Sequence, residues 1–303
     1  MKRFSFAIKL FLIFLLLFFP FFSARGAQKE GHWQIPLFSL PKEFNLCGEK
    51  VPLEKLEVRE NLDQALISTV YNPAMVILWI KRAHRYFPYL EKRLKERGMP
   101  DDLKYMVVVE SSLKTYAVSS ANAVGPWQFI KTTALKYDLR VDKWIDERLN
   151  FEKATEAALN YLSDLYKMFN SWNLAIAAYN CGENRVAQSL SRQESSNYFD
   201  TDLPLETEMY NFRIMVAKMI LSNPELYGYK VPESLRYAPL GWETVEINLK
   251  RETPILSIAR AADTTFKAIK EMNPEFLRYE LPPGTYKVKV PPGKGSKIKA
   301  AFQ

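Results

Sequence analysis

From Asn72-Pro73 to about Tyr229 the chain is patterned for helix almost without a break. Pro73 and Gly98 stand at favoured start and stop positions, so the spacing predicts a helix from Asn72-Pro73 to Arg97. Met99-Pro100-Asp101-Asp102 opens the next helix, with acids in the first turn where the helix dipole favours negative charge. On its face Leu103, Met106, Val107 and Glu110 fall at i, i+3, i+4 and i+7. Ser171 can cap a short helix over Trp172–Tyr179, and Gly182 can end it. Ala154, Ala157, Ala158, Tyr161, Leu162 and Leu165 repeat as a core stripe. Residues 27–71, with Pro36, Pro41 and Pro52, read as an extended lead-in with one short helix. Beyond about Pro232 β-branched residues and proline increase. Val245-Glu246-Ile247-Asn248 and Tyr286-Lys287-Val288-Lys289-Val290 are predicted strands there.

Composition removes several chemistries. Two His and two Cys in 303 residues leave no ligand set for a His-rich or Cys-rich metal site. No glycine-rich phosphate loop or dinucleotide fingerprint is present. Any catalysis must come from carboxylates, hydroxyls, amides and aromatic rings, without metal or organic cofactor. Cys47 and Cys181 can form a disulfide only if the fold brings them together. His84, amid Lys81, Arg82 and Arg85, is expected on a solvated helix face.

Lys2, Arg3 and Lys9 precede the apolar run Leu10–Phe22, and Ala24-Arg25-Gly26 offers small residues for cleavage. Residues 1–26 therefore read as an export signal, with an uncleaved anchor as the alternative. Without that segment the net charge falls from +8 to +4. A surplus that small gives no case for a nucleic-acid partner.

Glu110 is the one carboxylate on an apolar stripe. From periodicity alone it is either a solvated group at a helix end or a proton donor turned into a low-dielectric cleft. Its neighbours supply the context. Glu110-Ser111-Ser112 is followed by Ala117-Val118-Ser119, by Ala123-Val124-Gly125-Pro126-Trp127-Gln128-Phe129, and later by Ala177-Ala178-Tyr179-Asn180-Cys181-Gly182. In this order and spacing the segments resemble the transglycosylase SLT domain, the lytic transglycosylases related to goose-type lysozyme. Gly98-Met99-Pro100, Asp146-Glu147-Arg148 and Leu203-Pro204-Leu205-Glu206-Thr207 with Tyr210 are most similar to its membrane-bound D-type subgroup.

The resemblance implies a mainly α, lysozyme-like catalytic domain over residues 72–230, whose substrate is the glycan strand of peptidoglycan. Glu110 matches the sole catalytic acid/base. Ser119, Trp127, Gln128, Tyr179, Asn180, Glu206 and Tyr210 match substrate-binding or cleft-shaping positions. The implied reaction is a lyase cleavage between N-acetylmuramic acid and N-acetylglucosamine that leaves a 1,6-anhydro end. It implies an exported, envelope-associated protein, with peripheral association at the membrane. Pro126, Cys181 and Glu208 depart from the family pattern; Glu208 reverses a charge expected near the cleft rim.

Residues 235–303 are similar to LysM, a small α+β module of strand–helix–helix–strand order that binds N-acetylglucosamine polymers. Thr253-Pro254 can start its first helix and Asp263 can cap its second. Arg251-Glu252-Thr253-Pro254 departs from the usual opening, so this module either binds glycan or only stabilises the chain. Two other functions stay open: a true hydrolase, needing a second acid among Asp138, Asp142 and Asp146, and a non-catalytic peptidoglycan-binding protein.

Overall fold

The computed structural model describes residues 36–302. The export signal expected over residues 1–26 lies outside the described residues. No helix among those described is long and apolar enough to cross a membrane.

A small antiparallel hairpin, β1 (Phe44–Leu46) and β2 (Glu49–Val51), pairs Phe44 with Val51 and turns through Cys47-Gly48. It leads into α1 (Leu56–Val70), a helix of 15 residues. The described part of the expected lead-in is thus a hairpin followed by the one expected helix, which runs to four turns. Leu62 and Leu66 are buried on the face of α1 that meets α8.

Then come α2 (Pro73–Glu96), α3 (Lys104–Ser111), α4 (Lys131–Lys136), α5 (Phe151–Phe169), α6 (Trp172–Cys181), α7 (Glu183–Gln193) and α8 (Leu205–Ser222). The caps follow from local chemistry. Asn72 accepts from Met75 N–H, Asn150 from Lys153 N–H and Ser171 from Leu174 N–H. The stripe Ala154, Ala157, Ala158, Tyr161, Leu162 and Leu165 is buried along α5 where it packs on α6.

The C-terminal unit is built on β3 (Glu243–Leu249) paired antiparallel with β6 (Gly284–Val290), Val245 opposite Val288. Between them lie β4 (Thr253–Pro254), α9 (Ile255–Ala261), α10 (Phe266–Met272) and β5 (Glu280–Leu281), and α11 (Gly295–Phe302) closes the unit. Inward residues of the strand pair, Val245, Ile247, Leu249, Val288 and Val290, form one core with Ile255, Ile258, Ile269 and Ile298. Asp263 does not cap α10. Thr265 does, accepting from Ala268 N–H, while Asp263 pairs with Lys294, just before α11, and with Lys297 inside it. His84 is half-buried, with Nδ1 against the Tyr237 carbonyl at 3.1 Å and its side chain 31% exposed, so its helix face is partly covered rather than fully solvated.

Candidate active site

Glu110 lies in the last turn of α3. Beyond it the chain leaves the helix through Ser112 and Leu113, both left-handed at φ 53° and 59°. Two residues of α2 brace this exit. Trp79 Nε1 donates to Ser112 Oγ at 2.9 Å, and Arg82 donates to the Ser112 carbonyl at 3.0 Å. Leu103, Met106 and Val107 anchor the same helix in the core, each fully or almost fully buried. The stripe that points inward thus delivers Glu110 to the edge of the apolar interior.

That edge is the wall of an open cleft of about 620 Å³. Glu110, Ser119, Gln128, Tyr179, Asn180, Glu206 and Tyr210 all line it. These seven residues come from α3, the loop of residues 112–130, α6 and α8, and the fold brings them together across 100 residues of sequence between Glu110 and Tyr210.

The eighth predicted site residue is elsewhere. Trp127 is 1% exposed behind the cleft floor, with Nε1 donating to Thr155 Oγ1 at 2.9 Å. An indole packed that deeply cannot touch a ligand in the cleft, so its expected substrate-binding role is replaced by support of the floor. Its backbone carbonyl accepts the Tyr179 hydroxyl at 2.8 Å, and the Tyr179 ring meets Phe129 edge-on at 6.1 Å. The Tyr179 hydroxyl is therefore committed to the floor while its ring borders the cleft.

The loop of residues 112–130 holds its shape through its own polar groups. Gln128 is left-handed at φ 50° and donates Nε2 to the carbonyls of Gly125 at 2.7 Å and Ala117 at 3.3 Å. Among the described residues nothing donates to its amide oxygen, which remains for a ligand. Ser119 Oγ accepts from Ala123 N–H at 3.1 Å and retains its own proton to donate. Asn180 Oδ1 accepts from Thr207 Oγ1 at 2.8 Å, tying α6 to the start of α8.

Tyr210 donates its hydroxyl to Glu110 Oε1. Burial pushes the Glu110 carboxyl up to about 7; the Tyr210 hydrogen bond pulls it down and Glu206 adds to the rise. Desolvation outweighs the bond, so the group holds a proton near neutrality and can also release it. Tyr210 is itself pushed upward by burial and by Glu110, which keeps it a donor.

Two other carboxylates border the cleft. Glu206 makes a two-point ion pair with Arg213, at 2.6 and 3.1 Å. Glu183 accepts from Tyr161 Oη at 3.0 Å and faces Lys136 at 3.5 Å. Asp138, Asp142 and Asp146 do not line it. Asp142 caps the backbone of Trp144 and Ile145, and Asp146 binds Arg148. Glu208 turns from the cleft to cap Leu203 N–H at 3.0 Å. Cys47 and Cys181 are free thiols. Among the described residues no group of three or more His, Cys, Asp or Glu could hold a metal ion.

Three contributors had no sequence signal beyond a helix pattern. Trp79 and Arg82 are ordinary residues of an amphipathic helix until the exit of α3 meets them. Glu49, in a hairpin strand of three residues, reaches the start of α6. Its carboxylate accepts from Trp172 N–H, from Asn173 N–H at 3.2 Å and from Ser171 Oγ at 2.9 Å. An anion there suits the positive end of the helix that carries Tyr179.

Residues 88–201 match the family model of the transglycosylase SLT domain. Among curated proteins, the chain is 32% identical over 197 residues to membrane-bound lytic murein transglycosylase D of Escherichia coli K12, covering 63% of this chain and 43% of that protein. It is 32% identical over 126 residues to membrane-bound lytic murein transglycosylase C of Serratia proteamaculans, 37% of this chain and 35% of that one. It thus spans less than half the length of these relatives. A solved structure of an inactive mutant of the lytic transglycosylase Slt from Pseudomonas aeruginosa aligns with a TM-score of 0.34 at 22% identity, over 50% of this chain and 26% of that one.

Proposed function

We propose, on the premise that residues 88–201 form a transglycosylase SLT domain, that this protein is a peptidoglycan lytic transglycosylase with Glu110 as its acid and base. The observation that carries the reading is one carboxyl, pushed up to about 7, alone in a cleft whose other carboxylates are engaged.

Protonated Glu110 donates to the oxygen between C1 of N-acetylmuramic acid and N-acetylglucosamine, and the C1–O bond breaks. The acetamido oxygen of the muramic residue supports the cationic C1, where paired-carboxylate glycosidases use a second acid. Ionised Glu110 then takes the proton of the C6 hydroxyl as its oxygen closes on C1. One group serves in both directions, which needs a pKa near the working pH. Tyr210 is suited to steady the carboxylate between the two steps. Ser119 and the free Gln128 oxygen are suited to the N-acetyl and hydroxyl groups of the sugars, and Asn180, Glu206 and the Tyr179 ring to the cleft rim.

The relatives' names, together with the charged and apolar leader of residues 1–26, support export to the cell envelope and association with its membrane. The strand–helix–helix–strand order after residue 235 supports a LysM-like module, and the groove of about 640 Å³ along Asn248–Pro254 and Phe302 is its candidate glycan face.

Digestion of isolated sacculi in oxygen-18 water separates this reading from hydrolysis. The expected products end in unlabelled anhydro-muramic acid, because no water is consumed. Labelled reducing ends as the main product would make the protein a hydrolase, and intact sacculi with bound protein would make it a binding protein.

A further inference from the structure

The C-terminal unit is not suspended from the helical domain; it is docked on the loop that supports the cleft. Ile145 pairs with Phe276 in an antiparallel bridge and is 3% exposed within the core of the C-terminal unit. Around this bridge Asp146 N–H donates to the Glu275 carbonyl at 2.9 Å, and Leu277 N–H to the Trp144 carbonyl at 2.8 Å. Arg278 Nε reaches the Lys143 carbonyl at 3.1 Å. Asn150 Nδ2 donates to Glu275 Oε1 at 2.7 Å in a fully buried bond.

The same loop grips the cleft wall from behind. Asp146 holds Arg148 through Nε at 2.9 Å and Nη2 at 2.7 Å. Arg148 Nη1 then donates to the carbonyls of Phe129 at 3.0 Å and Asn122 at 3.3 Å. Those two carbonyls bracket the turn that carries Gln128. The Arg148 carbonyl also abuts Gly125, lying 1.8 Å from where a Cβ would stand. Glu275 meets the loop twice, through its carboxylate at Asn150 and through its carbonyl at Asp146, and Asp146 and Arg148 carry the contact on to the Gln128 turn.

Glu275 has the features of a register lock. It is 3% exposed, and its Oε2 has no hydrogen-bond partner among the described residues. A buried carboxylate with an unmet oxygen costs stability that an apolar residue would not. What it supplies is one defined seat for Asn150, whose own N–H donates to the Glu147 carbonyl at 3.1 Å and closes the turn that carries Arg148.

We propose that the C-terminal unit is a positioning element of the cleft, with Glu275 and Arg148 as positioning residues that hold the Gln128 turn in its working geometry. This rests on the lytic transglycosylase reading for its consequence in rate, but not for the structural coupling itself. The unit then contributes to turnover on substrates too short to reach it, which a glycan-holding appendage does not.

The test compares the full chain with Glu275→Ala and Glu275→Gln variants on a soluble, peptide-free glycan oligomer made from peptidoglycan. Glu275→Ala is expected to lower kcat roughly 10-fold, the scale of a sub-ångström misplacement of cleft groups, with KM little changed. Glu275→Gln keeps an oxygen for Asn150 and is expected to recover most of that loss. Amide hydrogen exchange gives a second readout that needs no activity. Residues 122–129 should exchange faster in Glu275→Ala, while the amides of α5 keep wild-type protection. Wild-type exchange at 122–129 in a folded Glu275→Ala protein would overturn the proposal. So would unchanged kcat on the oligomer with impaired digestion of sacculi, which would return the unit to holding substrate. An inactive wild type with the exchange effect intact would sink the enzymatic reading alone.

Discussion

Replacing Glu110 with Gln should make the protein more stable at alkaline pH and, on the proposed mechanism, sharply lower its turnover. In the folded chain burial pushes the carboxyl from 4.5 up to about 7. Between these values the unfolded chain has released this proton and the folded chain still holds it, so stability falls as pH rises from 4.5 to 7. Above 7 the cost is constant, and below 4.5 it vanishes. A shift of that size corresponds to about 3 kcal/mol. Because the carboxyl opens onto a solvated cleft, about 1–3 kcal/mol is the expected range.

Gln has the same shape, can still accept the Tyr210 proton and carries no charge to desolvate. Every other titrating group is common to both proteins, so the difference in unfolding midpoint isolates Glu110. Thermal melts at pH 4.5 and pH 8.5 should show near-equal midpoints at the first and a gain on the order of 5 °C for Glu110→Gln at the second. Turnover should drop by about 10²-fold or more for loss of general acid–base catalysis. A midpoint difference independent of pH would refute the burial argument, and retained turnover would assign the chemistry to another residue.

Tyr210→Phe removes the hydrogen bond that lowers the Glu110 pKa, so the upper limb of the pH–rate profile should move to higher pH by about one unit, the worth of a bond to a charged group; an unmoved limb would show that the bond does not act on the ionised form. Gly125→Ala forces a Cβ into the Arg148 carbonyl at a left-handed φ of 86°, and should destabilise by about 3 kcal/mol or more, read as a fall in denaturant midpoint at unchanged slope. Tyr179→Phe breaks the bond to the Trp127 carbonyl and should slow cleavage without altering the anhydro product; labelled reducing ends from the variant would contradict a purely positioning role.

The helical plan was readable because caps and stripes act locally. Asn72, Ser171 and Gly182 bound their helices through bonds to residues three or four away, and the alanines of α5 report only which face is inward. Glu110 stood out for the same reason, as a charge in an apolar slot. Trp127 did not yield to that logic. It sits in a turn where neighbouring side chains point in unrelated directions, and adjacency to Gln128 carries no information about which faces the cleft. The hairpin escaped because three-residue strands have no period to detect, and Thr265 rather than Asp263 caps α10 because Asp263 is drawn to two lysines. Composition changes near residue 235, yet composition cannot tell a tethered segment from a docked one; that depends on Ile145 and Asn150, far upstream. The cleft itself was legible as a residue set but not as an electrostatic arrangement, since the Tyr210 contact to Glu110 spans the domain.

The hairpin carboxylate of Glu49 has a consequence for the order in which the protein can become competent. Glu49 meets the start of α6 across 123 residues of chain, Cys47 N–H meets Asp102 across 55, and Glu110 meets Tyr210 across 100. Contacts so distant in sequence carry a loop-closure cost and cannot form until both partners have been made. A chain made from its N-terminus presents the hairpin long before α6, and Glu49 has nothing to grip until that helix follows. Glu110 emerges before the hydroxyl that steadies it. Vectorial synthesis therefore delivers Glu110 early and the assembled cleft late, so the cleft is complete only after α8 has arrived.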